Sequence, residues 1–457
     1  MTGLLSQDKD TICALASAQG QAGISVVRVS GPEALFKVRP LCPFLPSSLN
    51  SHQVYYGKLT DPSTGNPVDE VLITYFMAGR SFTGEETLEI SLHGNPTLVN
   101  QCLELLVETG CRPAERGEFT FRAFSNGRID LVQAESVLDL IQSQSRKAAA
   151  LSLRQLEGRL SGQIRELKTL VTGVLAHLEA NIDFSSEDIE VAQMKELRAR
   201  TESARNLIRE LLKSHRAGRI LKSGYQVVLI GRPNVGKSSL LNALLGEEKA
   251  IVTSIEGTTR DLVEGRFFVD GYQVDVTDTA GLRASSDEIE RIGQKRAEEK
   301  MAVADLHLAV FDSSQPLSED DSNLLKRLGK DRTLVLLNKG DLVSQLDPKL
   351  FEGYPILSVS AKTSLGLDVL KGLLLERILQ DLPSEESVVS LNARHFNHLS
   401  EAEKKLGNSL TLMVKDESPD LIALDLHQAL QEIYSLLGEV YDDQVMDAVF
   451  NQFCIGK

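Results

Sequence analysis

A glycine loop between an apolar segment and a helix-forming segment constrains the fold of this chain more than any other feature. Residues 225–239 read Tyr-Gln-Val-Val-Leu-Ile-Gly-Arg-Pro-Asn-Val-Gly-Lys-Ser-Ser, and residues 231–238 fit the pattern Gly-x-x-x-x-Gly-Lys-Ser. Backbone N–H groups of such a loop, together with the N-terminus of the helix that follows, bind nucleotide phosphates. The pattern therefore predicts a P-loop α/β domain in which Lys237 contacts the outer phosphates and Ser238 binds Mg²⁺.

Two later motifs indicate a guanine nucleotide. A predicted strand at residues 274–276 ends in Asp278-Thr279-Ala280-Gly281, which places a carboxylate near Mg²⁺ and a glycine N–H near the γ-phosphate. Asp341, in the run Asn-Lys-Gly-Asp of residues 338–341, can accept hydrogen bonds from N1 and the exocyclic amine of guanine. Adenine offers no such donor pair, and we expect a buried carboxylate here to discriminate strongly against it. The set resembles the motifs of translation-factor-related GTPases.

The segment 257–261 lies between these motifs and the P-loop, and Thr259 is placed to bind Mg²⁺ and to sense the γ-phosphate. Leu282 follows Asp-Thr-Ala-Gly, where Ras-like proteins have a catalytic glutamine, and a leucine side chain cannot orient water. The acidic run 286–290 comes next. From the residues alone, it is either a solvated turn or the source of a carboxylate for hydrolysis.

A length of 457 residues predicts about two to four domains. Residues 1–120 have an α+β pattern, residues 121–222 are helical, residues 223–382 form the nucleotide domain, and residues 383–457 are helical again. The simplest architecture is one α-helical bundle interrupted by the α/β domain. A net charge of -15 excludes a generally basic nucleic-acid binder. The basic stretch Lys195–Lys222 is either a solvated helix face or a contact for phosphates of a nucleic acid.

Other classes of protein are also excluded by composition. The five cysteines contain no Cys-x-x-Cys pair, which argues against a zinc site or a disulfide framework and favours a reducing cytoplasm. No apolar run is long enough to span a membrane, and the N-terminal residues do not form a secretory signal. We therefore expect a cytoplasmic protein with no membrane association.

Over essentially its full length, the sequence resembles the MnmE (TrmE) family. The resemblance is carried by Val-Arg-Val-Ser-Gly at 27–31, Thr-Gly-Glu at 83–85, Arg-Gly-Glu-Phe at 116–119, the complete GTPase motif set, and the terminal Phe-Cys-Ile-Gly-Lys. It implies a tetrahydrofolate-binding-like N-terminal domain that also dimerises the protein, a helical bundle, and an inserted Ras-like G domain.

The resemblance also implies functional residues. Arg28, Glu89, Arg128 and Lys457 match folate-contacting positions, although some members have lysine in place of Arg128. Asn234, Thr253, Ile255 and Thr258 match K⁺ ligands, and Glu290 matches a catalytic glutamate. With the motifs, it gives these expected GTP contacts: Asn234, Val235, Gly236, Lys237, Ser238, Ser239, Thr253, Ser254, Ile255, Glu256, Gly257, Thr258, Thr259, Asp278, Thr279, Ala280, Gly281, Asn338, Lys339, Asp341, Ser360, Ala361 and Lys362.

The function that the resemblance implies is K⁺- and Mg²⁺-dependent GTP hydrolysis coupled to tRNA modification. A homodimer would act with the flavin-dependent protein MnmG, two subunits of each, to add an aminomethyl-type or carboxymethylaminomethyl group at C5 of a wobble uridine. A reduced folate, 5-formyl- or methylene-tetrahydrofolate, would carry the one-carbon unit. Cys454 would be a nucleophile, a redox partner of the flavoprotein, or a packing residue.

Two alternatives belong to other functional classes. One is a regulatory GTPase that binds ribosomal RNA or a ribosome-assembly factor, which the folate-like domain and terminal cysteine argue against. The other is a folate-dependent transferase with a G domain that serves only as a scaffold. The complete guanine and switch motifs argue against it.

Overall fold

The structure, a computed structural model, describes residues 10–183, 191–246, 265–278, 299–382, 388–441 and 443–457. The chain divides into two compact units. Residues within 1–141, 154–209 and 397–457 belong to the first unit, and residues within 142–153 and 210–396 belong to the second. In the part of the chain that is described, no helix has the length and apolar character needed to cross a membrane.

A six-stranded sheet forms the amino-terminal part of the first unit. Its strands are β1 (Ile12–Leu15), β2 (Ala22–Ser30), β3 (Gln53–Thr60), β4 (Pro67–Phe76), β5 (Thr87–Gly94) and β6 (Arg112–Pro113), in the order β3-β4-β5-β2-β1-β6. All neighbours are antiparallel except β1 and β6. The helices α1 (Ala34–Val38) and α2 (Pro96–Glu108) accompany the sheet. Asn95 caps α2 by accepting the N–H of Thr97 at 2.9 Å. This confirms the α+β pattern predicted for the segment.

Helices make up most of the remaining first unit. The helices that contribute to it are α3 (Glu118–Ser125), α4 (Leu131–Gln142), α5 (Arg146–Leu156), α6 (Arg159–Asp183), α7 (Val191–Ser223), α11 (Ala393–Val414), α12 (Pro419–Leu437) and α13 (Asp443–Phe450). The apolar stripe predicted along α6 is buried at Ile164, Val171 and Leu178. The ion pairs Lys168–Glu439 and Lys405–Asp425 lie at the bundle surface. The predicted helical segments are therefore present.

The second unit contains another six-stranded sheet. Its strands are β7 (Tyr225–Ile230), β8 (Gly265–Val269), β9 (Tyr272–Asp278), β10 (Leu306–Asp312), β11 (Thr333–Asn338) and β12 (Ile356–Ser358), in the order β12-β11-β10-β7-β9-β8. Five strands are parallel, and β8 alone runs antiparallel to its neighbour. The helices α8 (Lys237–Gly246), α9 (Glu319–Arg327) and α10 (Leu367–Asp381) complete the described α/β architecture.

Strand β8 was not predicted from the sequence. It joins β9 through Asp270 and Gly271, which have φ angles of 49° and 81°. Two consecutive left-handed residues are typical of a tight two-residue hairpin, and Asp-Gly is a preferred sequence for it. The signal was therefore present between two apolar runs, but the prediction passed over it.

Candidate functional site

The glycine loop connects β7 to α8 at the carboxyl edge of the second sheet. Gly231 and Gly236 both have left-handed φ angles, 156° and 95°. A Cβ atom added to Gly231 would lie 2.4 Å from the carbonyl oxygen of Val310, and one added to Gly236 would lie 2.2 Å from Nδ2 of Asn338. Only glycine fits at these two positions, because a side chain would meet both backbone strain and a steric clash.

Lys237 is the first residue of α8 and is buried. Its Nζ donates hydrogen bonds at 2.9 Å to the carbonyls of Gly231 and Arg232, so the ammonium is held across the loop. The next residue, Ser238, donates from Oγ to Oδ2 of Asp278 at 3.1 Å. Asp278 is the last residue of β9. A hydroxyl and a carboxylate side by side are the oxygen ligands that Mg²⁺ prefers, so these residues fit the predicted metal.

Asn338 links three separate segments of the chain. Its buried side chain donates from Nδ2 to the carbonyl of Val235 at 2.9 Å, and its Oδ1 accepts the N–H of Ala361 at 3.1 Å. The glycine loop, the end of β11 and the segment after β12 are therefore joined through one amide. The three motifs that the sequence assigned to one nucleotide are brought together at one edge of the sheet.

Asp341 lies beyond Asn338 and is exposed, which corrects the expectation of a buried carboxylate. Exposure follows from its place in a loop after β11. Ser360 donates from Oγ to Oδ1 of Asp341 at 2.6 Å, and this hydrogen bond lowers the pKa of the aspartate. The carboxylate is therefore kept ionised and oriented, as an acceptor for guanine requires.

Sequence reasoning missed Asp312, the last residue of β10. Its Oδ2 accepts from Nζ of Lys339 at 2.6 Å, which fixes a lysine whose φ is 63°. Burial raises the pKa of Asp312, but hydrogen bonds from Lys339 and Ser314 outweigh it and the net pKa is lowered. Its position at the carboxyl end of a predicted strand could have identified it, because the carboxyl ends of parallel strands meet at one edge of the sheet.

Arg232 and Asp321 form a second contact that was not predicted. Arg232 lies within the glycine loop, and its Nε donates to Oδ1 of the buried Asp321 at 2.8 Å. Asp321 also belongs to the capping box of α9, in which Ser318 is the N-cap residue. The loop is therefore tied to the start of α9 by an ion pair that no motif specifies.

Several predicted site residues lie outside the described residues. They are Thr253, Ser254, Ile255, Glu256, Gly257, Thr258, Thr259, Thr279, Ala280, Gly281 and Glu290. Of the proposed K⁺ ligands, only Asn234 is described. It is exposed and has a φ angle of 64°, a left-handed conformation that asparagine tolerates better than most residues. The K⁺ ligand set and the role of Glu290 stay predictions.

The first unit brings together two of the four predicted folate contacts. Arg28 on β2 lies directly opposite Glu89 on the adjacent strand β5, with Nη2 to Oε1 at 2.8 Å. The Arg28 guanidinium also lies 5.6 Å from the ring centroid of Phe119. Arg128 lies beside Gly84, because a Cβ added to that glycine would be 3.2 Å from Cγ of Arg128. Both basic residues therefore belong to the N-terminal part of the unit.

The carboxyl-terminal tail packs against the same part of the first unit. Phe453 is buried and stacks on Phe450 at 5.8 Å, and Ile455 forms a β-bridge with Arg116. A Cβ added to Gly456 would lie 2.0 Å from the carbonyl oxygen of Leu15, so the tail lies directly against the end of β1. The tail is thus anchored by Phe453, as the sequence suggested. Its lysine, Lys457, is half-buried.

Cys454 has a different environment from the other cysteines. Cys13, Cys42, Cys102 and Cys111 are buried, whereas Cys454 is exposed. Its carbonyl accepts the N–H of Gly117 at 3.5 Å, which ties the backbone of Cys454 to the start of α3, while the side chain is exposed. An exposed thiol argues against the packing role and leaves the nucleophilic and redox alternatives.

The basic stretch Lys195–Lys222 lies on α7, and many of its charges have acidic partners. Glu403 accepts from Nε of both Arg205 and Arg209, at 2.9 and 2.8 Å. Burial raises the pKa of Glu403, but these two hydrogen bonds outweigh it and the net pKa is lowered. Arg205 and Arg209 therefore stabilise the bundle, which weakens their assignment to nucleic-acid contact.

Comparison with known proteins agrees with these features. The family described as "MnmE helical domain" matches residues 131–454, and "GTP-binding protein TrmE N-terminus" matches residues 11–128. The tRNA modification GTPase MnmE of Bdellovibrio bacteriovorus is 44% identical, over 99% of this chain and 98% of that protein. The proteins of the same name from Natranaerobius thermophilus and Carboxydothermus hydrogenoformans are 41% and 39% identical, each over 98% of this chain and 100% of the relative. With matches of this length and a nucleotide site of this geometry, the chain belongs to the MnmE family of tRNA modification GTPases.

Proposed function

We propose that the chain is a cytoplasmic, K⁺-activated GTPase that acts in the modification of tRNA wobble uridines. One observation carries the nucleotide part of the proposal. Asn338 joins the P-loop to the predicted guanine-binding segments, and the Ser238–Asp278 pair lies at the same edge of the sheet. The MnmE relatives, each named a tRNA modification GTPase, support the tRNA part.

In the proposed mechanism, the residues at the sheet edge hold and orient GTP. Loop N–H groups and Lys237 would bind the phosphates, and Asp341 would accept the hydrogen bonds of guanine. Ser238 and Thr259 would hold Mg²⁺, while Asn234, Thr253, Ile255 and Thr258 would hold K⁺. These cations would supply positive charge at the place where negative charge builds up during hydrolysis. Glu290 would orient the attacking water indirectly, because Leu282 cannot.

The N-terminal part would hold a reduced folate through Arg28, Glu89, Arg128 and Lys457. A half-buried carboxylate beside a guanidinium offers both an acceptor and donors, which suits a pterin ring and its acidic tail. The folate supplies the one-carbon unit when bound. Gly456 of the tail lies against Leu15 at the end of β1, and Ala14 of the same strand pairs with Arg28 of β2, which supports a role for the tail at the folate residues.

The proposal includes an assembly and a domain division. The chain would dimerise through residues 1–120 and work with the flavoprotein MnmG, two subunits of each, on tRNA. The helical domain would comprise residues 121–222 and 383–457, with the G domain at 223–382 inserted between them. GTP hydrolysis would drive association and rearrangement of the G domains rather than the carbon chemistry itself.

The cation requirement provides a direct experiment. GTP hydrolysis is measured in K⁺ and in Na⁺ at equal ionic strength, for the wild type and for Asn234→Ala. We expect strong stimulation by K⁺ in the wild type and none in the variant. Asn234→Gly is the matched control for backbone strain, because glycine accepts the φ of 64° but also lacks the side chain. Equal rates in the two cations would refute the proposal, and full K⁺ stimulation of Asn234→Gly would remove Asn234 from the K⁺ site.

A further inference from the structure

A basic cavity lies in the second unit, away from the glycine loop. Its volume is about 780 Å³, and its lining includes residues at or near the amino ends of three parallel strands. Gln226 belongs to the start of β7, Asp305 directly precedes β10, and Arg332 directly precedes β11. The glycine loop follows the carboxyl end of β7. The cavity and the nucleotide site therefore occupy opposite edges of one sheet.

Positive charge predominates in this cavity. Among the described residues, the Arg and Lys side chains that line it are Arg216, Arg219, Arg266, Lys300 and Arg332. Arg216 is itself paired with Asp381 at 2.8 Å. His215 also lies in the lining, but burial lowers the pKa of its ring, so it does not add to the positive charge at neutral pH. The aspartates in the described lining are Asp275 and Asp305. The chain as a whole has a net charge of -15, so this concentration of positive charge runs against its overall balance.

The two aspartates are already bridged by guanidinium groups. Asp275 accepts from Nε and Nη2 of Arg266 at 2.6 and 3.2 Å, and Asp305 accepts from Nη2 of Arg219. A guanidinium carries five N–H donors, and a carboxylate uses at most two or three of them. The pairs therefore hold the arginine planes in fixed orientations while leaving donors for another anion.

Among its described residues, the lining offers no aromatic side chain on which a nucleobase could stack. Phe, Tyr and Trp do not occur in the part of the lining that the structure describes, and the ring of His215 packs against Phe396 with centroids 4.6 Å apart. Base recognition in single strands relies on aromatic stacking, whereas phosphate contacts need only donors and positive charge. The described lining therefore favours a sugar–phosphate backbone over a stacked base.

We propose that this cavity binds consecutive phosphates of the tRNA backbone, an inference that rests on the proposed function for the identity of the RNA. The volume matches that of pockets that enclose small ligands, about 300–1,000 Å³, and so admits more than one phosphate group. An acidic protein needs such a local basic site to hold RNA against general repulsion. In the basic stretch of α7, Arg216 and Arg219 contribute to it, whereas Arg205 and Arg209 serve the bundle.

The test is the salt dependence of tRNA binding to the full-length chain. Fluorescently labelled tRNA is titrated with protein over a range of KCl concentrations, without nucleotide. The cavity variant is Lys300→Glu with Arg332→Glu. The control is Lys326→Glu with Lys349→Glu, which makes the same charge change at exposed lysines of the same unit. GTP hydrolysis is measured for every protein.

We expect the cavity variant to bind tRNA at least about tenfold more weakly, with a slope of log affinity against log salt about one to two smaller, since each lost phosphate contact removes about 0.7–0.9. The control should stay within a factor of about three, and both variants should hydrolyse GTP like the wild type. Equal losses in the two variants, or an unchanged slope in the cavity variant, would overturn the inference. Lys300→Gln with Arg332→Gln repeats the test with less perturbation if the reversal impairs folding.

Two further outcomes separate this inference from the proposed function. A wild-type chain that hydrolyses GTP but shows no salt-dependent tRNA binding refutes the cavity assignment alone. A chain without GTP hydrolysis refutes the proposed function itself. Inorganic tripolyphosphate is added as a competitor, and we expect it to displace tRNA only at far higher concentration. Tripolyphosphate binding at the cavity without tRNA binding would assign the site to a small anion and overturn the RNA inference.

Discussion

Asn338→Ala tests whether the nucleotide site depends on one buried amide. The substitution removes the hydrogen bonds to the Val235 carbonyl and from the Ala361 N–H, which are 2.9 and 3.1 Å long. A neutral hydrogen bond contributes about 1 kcal/mol net, and a buried group left without its partner costs about 1–3 kcal/mol. The bond to Val235 is fully buried and the one to Ala361 only partly, so we expect a total of about 2–3 kcal/mol.

This free energy should divide between stability and affinity. If the loops separate in the free variant, nucleotide binding must reassemble them, and affinity for GDP falls by at most about 30- to 150-fold, because 1.4 kcal/mol corresponds to a factor of ten. If the loops stay in place, the cost appears as a lower free energy of unfolding of the second unit. Both the affinity for GDP and the stability of the second unit must therefore be measured.

The assay is displacement of a fluorescent GDP analogue, combined with thermal unfolding. Asn323→Ala is the control, because Asn323 is exposed on α9 in the same unit. We expect weaker GDP binding, a lower unfolding temperature, or both in Asn338→Ala, and neither in the control. If affinity and unfolding temperature both match the wild type, the coupling through Asn338 does not exist. A loss of stability with unchanged affinity would make the amide structural only.

Three other predictions follow from the site, the tail and the bundle. Asp341→Asn should weaken GTP binding and favour xanthosine triphosphate, because the new amide donates where the exocyclic amine of guanine also donates. If the variant binds both nucleotides with the affinities of the wild type, Asp341 does not read the base. Deletion of residues 454–457 should leave K⁺-stimulated GTP hydrolysis near wild type and abolish wobble-uridine modification, and modification that survives in cells would remove the tail from the site. Glu403→Gln should lower stability at pH 7. Because the folded pKa of Glu403 is lowered, its contribution is present above the unfolded pKa of about 4.3 and disappears as pH falls through the folded value. Unfolding curves of variant and wild type should therefore converge in acid, and a constant difference from pH 7 to pH 3 would refute the role of the arginine pair.

The parts of the fold that follow from local pattern were predictable. The glycine loop was predictable because its motif requires glycine at positions 231 and 236. Both glycines have a left-handed backbone in the structure. The strands β2, β5, β10 and β11 were predicted from their apolar runs, and the structure buries these runs. The helix α6 was found because its apolar residues recur at spacings of three and four.

The parts that depend on distant contacts were not predictable. Asp312 binds Lys339 across two neighbouring strands, and Arg232 binds Asp321 eighty-nine residues away. Neither pair has a spacing rule, because sheet order decides which strand ends meet. The same holds for the basic cavity, since its cations come from α7, β8, the residues before β10 and the residues before β11. The exposure of Asp341 was also missed, because a motif specifies a residue type but not its burial.

Mass spectrometry of wobble nucleosides tests the central claim most directly. tRNA is isolated from cells that lack this chain and from the same cells carrying the wild type, Asp341→Asn or the protein without residues 454–457. The account predicts that the C5-substituted wobble uridine is lost in the cells that lack the chain and is restored by the wild type. Neither altered protein should restore it. An unchanged nucleoside profile in cells without the chain would contradict the account.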